Sequence, residues 1–75
     1  MMLITKHALQ RFRERITDAP FDFIKQFISQ ELLNSELLYR VNNIEKRYVN
    51  GMVYVLDKQN GVSKVITLYP RFSID

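Results

Sequence analysis

Apolar positions recur with two different periods along this chain, and the period changes near residue 35. In the first half, Ala8, Leu9, Phe12 and Ile16 follow the i, i+1, i+4, i+8 spacing of one helix face. This pattern predicts a first helix over roughly Lys6 to Ile16. Thr5 is placed as its N-cap, because a threonine hydroxyl accepts from the free amides of the first turn. At about 100° per residue the apolar centre falls near Phe12. Arg15 then lies at the margin of the stripe, Arg11 further round, and His7 almost opposite. Thr17-Asp18-Ala19-Pro20 interrupts the helix. A second helix is predicted from about Pro20 to Asn34, with Asp22 favourable near its N-terminus. Its wide apolar face of Phe21, Phe23, Ile24, Phe27, Ile28 and Leu32 reads as core.

Beyond Asn34-Ser35 the period becomes two. Leu37 to Val41 reads as a strand. Asn50-Gly51 and Asn60-Gly61 then fit two-residue type I′ turns, in which both central residues need positive φ. The expected meander runs Ile44–Val49, Met52–Lys58 and Val62–Tyr69, followed by a short tail from Arg71 to Asp75. Met1 to Ile4 fits either an edge strand or a strap across the core. The expected fold is a single α+β domain, residues 1 to 75, with two N-terminal helices packed on an antiparallel meander of three to four strands. Two-residue turns also set a register. On that register Ile44, Tyr48, Val53, Val55, Ile66 and Leu68 face the core. Glu45, Arg47, Val49, Met52, Tyr54, Leu56, Val65, Thr67 and Tyr69 face outward, with Arg47, Tyr54 and Thr67 in one row.

Composition narrows the chemistry. Seventy-five residues bury only about 60% of their unfolded surface, so stability should be modest. No apolar run approaches the ~20 residues of a membrane span, and the N-terminus lacks signal-peptide features. Zero cysteines exclude disulfides and thiolate metal sites and fit the cytoplasm. With one histidine, a zinc site is not expected; the two glycines both fall in turns, leaving no phosphate loop. No metal or other cofactor is expected. The formal charge is +3, and the excess gathers at Lys6, Arg11, Arg13 and Arg15, opposed locally by Glu14 alone. A patch of that kind suits a phosphate-bearing partner or a solvated helix face.

What remains is acid–base chemistry by His7, with arginines neutralising an anionic transition state. RNA suits this set, because its 2′-hydroxyl is an internal nucleophile. The segment around His7, Ala8, Arg11, Glu14 and Arg15 reads His-Ala-x-x-Arg-x-x-Glu-Arg. It resembles the opening helix of small domains related to barnase, colicin D and RelE-type toxins, in which two helices precede an antiparallel sheet. Lys64 to Tyr69 is similar to their last strand. The resemblance implies His7 as general acid or base, Arg11 or Arg15 on the scissile phosphate, and Thr67 as a contact from the sheet. To these the expected register adds Arg47, Tyr54 and Tyr69 as RNA-binding groups, and the charge pattern adds Arg13.

The leading expectation is therefore a toxin-like, metal-independent endoribonuclease or an RNA-binding relative. The rival is a protein-interaction module, such as a phage-encoded inhibitor of a host enzyme. It would dock through Met52, Tyr54, Leu56, Val65 and Tyr69. Partners on these expectations are RNA, an antitoxin or host protein, or a second copy of the chain, and no membrane.

Overall fold

The computed structural model describes residues 1–72. The element order is β1 (Met2–Ile4), α1 (Lys6–Arg15), α2 (Phe21–Leu33), β2 (Glu36–Val41), β3 (Ile44–Val49), β4 (Met52–Gln59) and β5 (Val62–Pro70). Residues 73 to 75 of the expected tail lie outside the described part.

Thr5 caps α1, its hydroxyl accepting from the Ala8 amide at 3.0 Å. Pro20 stands at the N-cap of α2 rather than inside its first turn. Both Asn-Gly pairs adopt the left-handed conformation that the sequence requires, with φ of 49° and 83° at Asn50 and Gly51 and 51° and 76° at Asn60 and Gly61. Asn42, at φ 56°, turns β2 into β3.

The expected three or four antiparallel strands are five, in a mixed sheet ordered β1-β5-β4-β3-β2. The N-terminal segment is the added strand: Met2, Leu3 and Ile4 pair in parallel with Ser63, Lys64 and Val65. A parallel neighbour needs a crossover, and here both helices and three strands intervene. No local pattern announces such a pairing. At the opposite edge all six residues of β2 are exposed, and a bulge at Leu38 breaks its register with β3. Bulges at edges discourage further strand pairing.

The expected faces are reversed on β3 and β4 and at Val65, while Leu68 keeps its expected place in the core and Thr67 and Tyr69 keep theirs outside it. The helices cover the side bearing Val49, Tyr54, Leu56, Val65 and Leu68, which close around Ala8, Phe12, Ile24 and Ile28. Tyr54, Phe12, Ile24 and Ile28 have no exposed surface. Strand β4 is apolar on both faces, so alternation alone supplies two candidate cores. The larger pair, Tyr54 and Leu56, removes more area from water than Val53 and Val55 do. The β4–β5 register follows the Asn60-Gly61 turn as far as Leu56 opposite Val65. A bulge at Ile66 then shifts it, so that Val55 faces Thr67, Tyr54 faces Leu68 and Val53 faces Tyr69. The bulge keeps both Val65 and Leu68 in the core and turns Thr67 and Tyr69 to the other side.

Candidate functional site

Two rows cross the uncovered face. Tyr39, Lys46, Val55 and Thr67 are successive cross-strand partners on β2 to β5. Tyr48, Val53 and Tyr69 form the next row. Lys46 Nζ sits 5.6 Å from the Tyr39 ring centre and 5.9 Å from that of Tyr69. Arg71 stacks over Tyr48 at 4.4 Å and lies 5.8 Å from Phe72. Two cations thus alternate with four aromatic rings, at distances where ring quadrupoles attract them. Tyr39 and Phe72 keep 48% and 88% of their surface. Such a surface offers ring faces for bases and positive charge for phosphates.

The site residues expected from sequence separate into three groups. Thr67 and Tyr69 lie on this open face. Arg47 and Tyr54 do not, which corrects their expected place beside Thr67. Tyr54 is wholly buried, and its hydroxyl donates to Glu31 at 3.1 Å. Burial, then the Glu31 charge and that hydrogen bond, push the phenol well above its usual pKa. Arg47 donates to Glu45 at 2.6 Å and to the Ser35 hydroxyl at 2.7 Å, locking β3 to the end of α2. Neither can stack a base. The same inversion removes the expected docking patch, because Tyr54, Leu56 and Val65 are core residues.

The third group is on α1. His7 is exposed, as its angular position suggested. Arg11 pairs with Glu14 at 2.9 Å, and Gln10 donates to the same carboxylate at 3.2 Å. The Gln10 bond, ahead of the Arg11 bond and the Arg11 and Arg15 charges, helps hold Glu14 below the usual carboxylate range against its desolvation. Arg13 donates to the Ala19 carbonyl at 3.2 Å and lies 3.6 Å from Asp18, bracing the α1–α2 loop. Arg15 is half-buried.

One contact joins α1 to the strand that carries Thr67. The Thr5 amide donates to Val65 O at 3.1 Å, and its hydroxyl donates to Ile66 O at 2.9 Å. The start of α1, with His7 two residues on, is therefore tied to β5 beside the bulge that turns Thr67 outward. Sequence reasoning overlooked Tyr39, Lys46, Tyr48 and Arg71. Their signal was the alternation of β3 read in the other phase, with Lys46 and Tyr48 in place of Glu45 and Arg47.

Among the described residues no group of three or more histidine, cysteine, aspartate or glutamate side chains could hold a metal ion, and no helix is long and apolar enough to cross a membrane. No family model matches the chain, and the comparisons found no similar curated protein and no similar solved structure.

Proposed function

We propose that this protein binds single-stranded RNA across the open face of its sheet. The observation that carries the reading is the alternation of Lys46 and Arg71 with Tyr39, Tyr48, Tyr69 and Phe72. Aromatic stacking is worth about 1–3 kcal/mol per base and tolerates any sequence, while the cations meet the phosphates. The test is fluorescence anisotropy with a labelled single-stranded oligoribonucleotide of mixed sequence. Tyr48→Ala and Tyr69→Ala should each weaken binding, and an equal affinity for a blunt RNA duplex would count against stacking.

A second reading is metal-independent cleavage of RNA beside α1; the tie between Thr5 and Ile66 holds that helix against β5, although Thr67 turns to the opposite face of the sheet. That tie brings the His7 helix to the Thr67 strand. His7 would move the proton of the 2′-hydroxyl or of the leaving oxygen and Arg11 or Arg15 would meet the phosphate, while Thr67, on the face turned away from α1, would lie outside that site. Kinship with the barnase and RelE-type domains belongs to this reading. It rests on the His7 to Arg15 motif and on the two helices that precede strands β2 to β5, and the lack of cysteine suits a cytoplasmic setting. Incubation of RNA with the protein in EDTA should release products that His7→Ala abolishes. Intact RNA after such incubation, with binding retained, would leave the binding reading alone.

A further inference from the structure

A different feature lies on the helical side of the molecule. Glu31 retains 9% of its surface, and among the described residues its hydrogen bonds come from two neutral donors. Asn50 Nδ2 donates to Oε2 at 2.6 Å, and the Tyr54 hydroxyl donates to Oε1 at 3.1 Å. Glu45, the other buried carboxylate, is met by Arg47, Arg40 and Lys58. A buried charge is ordinarily offset by an opposite one. A carboxylate accepts about four hydrogen bonds, two on each oxygen. Among the described residues Asn50 and Tyr54 each take one, on different oxygens.

Glu31 lines a cleft of about 410 Å³ between α2 and the Asn50-Gly51 turn, within the size range of small-ligand sites. Phe23 and Phe27 form its apolar wall, and Gln26, Gln30, Asn34 and Asn50 supply amides. Among the described residues Glu31 is the one charged residue lining it. The Phe27 ring is braced edge-on by Phe12 at 5.3 Å, whereas Phe23 is half exposed and available for contact.

We propose that this cleft receives the side chain of an arginine presented by a partner protein. The guanidinium matches the geometry, because its planar fork delivers two parallel N–H donors, one to each carboxylate oxygen. Its aliphatic stem lies along the apolar wall of Phe27 and Phe23. The side-chain amide oxygens of Gln30 and Asn34 accept the remaining N–H groups. A nucleic acid is disfavoured here, since its phosphates would approach a carboxylate with no lining cation to shield them. The site lies on the helix-covered side of the sheet, so it stands independently of the RNA-binding face.

The probe is the peptide acetyl-Gly-Arg-Gly-amide, followed by ¹H–¹⁵N spectra of the side-chain and backbone amides. Saturable shifts are expected at Asn50, Gln30 and Asn34. The isosteric citrulline peptide and the lysine peptide should each bind about tenfold more weakly, or about 1.4 kcal/mol. Glu31→Gln should abolish the shifts. If that variant unfolds, Gln30→Lys, an exposed change that puts a cation at the cleft, should abolish them in a folded protein. Equal binding of the citrulline peptide, or shifts at the same amides on adding single-stranded RNA, would overturn the proposal. So would arginine-peptide shifts confined to α1.

Discussion

Glu45 has 1% of its surface exposed, yet it lies below the usual carboxylate pKa. Burial alone would raise it. The Arg47 hydrogen bond, the charges of Lys58 and Arg40 and a Lys58 hydrogen bond reverse that effect. A carboxyl depressed below its unfolded value of 4.5 contributes stability that is complete above that pH and fades as pH falls through the folded value. Chemical denaturation at stepped pH should therefore show an acid-side loss of stability that Glu45→Gln flattens. At pH 7 the same substitution should cost about 1–3 kcal/mol, below the cost of breaking a fully buried pair, because Arg40 and Lys58 are half exposed and water screens them. Tyr54 gives a second residue-scale expectation. Tyr54→Phe should lower stability by about 1.5–3 kcal/mol, the worth of a hydrogen bond to a charged group, and leave RNA affinity unchanged. A large loss of RNA affinity in that variant would contradict its place in the core.

At the scale of elements, Thr5 serves two of them at once. Its hydroxyl accepts from Ala8 to start α1 and donates to Ile66 to hold that start against β5. Thr5→Ala should cost about 1–2 kcal/mol by thermal unfolding, at the upper end for a cap, and Thr5→Ser should recover most of it. The type I′ turns make a separate demand. A Cβ added at Gly61 meets no atom within 4 Å, so only its φ of +76° opposes a side chain. Gly61→Ala should destabilise by about 1 kcal/mol without moving the core. The turns and the helix stripes were legible in the sequence because each depends on neighbours within four residues. Phe12 at the centre of α1's buried face and His7 outside it follow from angular position alone. The bulge at Ile66 was not legible. It resolves a competition between the turn-set register and the burial of both Val65 and Leu68, and that burial depends on helices far away in sequence.

For the whole molecule, the open face should bind RNA through stacking and through its two cations, so affinity should fall with salt, with a slope of log affinity against log salt of about −1.4. Removing one phosphate contact by Lys46→Ala should flatten the slope of log affinity against log salt by about 0.7, and Arg71→Ala should act similarly. A slope indifferent to both variants would move the binding surface to α1. On the open face, Thr67 and Tyr69 were placed outward from the sequence, though on a register that the Ile66 bulge overturned; Lys46, Tyr48 and Tyr39 emerged only with the correct phase of the sheet, and Arg71 only from its stacking on Tyr48.

The sequence by itself determined the helices, their caps and both Asn-Gly hairpins, since hydrogen bonds and backbone dihedrals close over short spans. The tertiary structure decided which side of a doubly apolar sheet the helices cover and that the N-terminus joins it as a parallel strand. Those outcomes depend on total buried area. On the covered side, the charges of Glu45 and Arg47 neutralise each other, and that pairing makes their place beneath the helices tolerable.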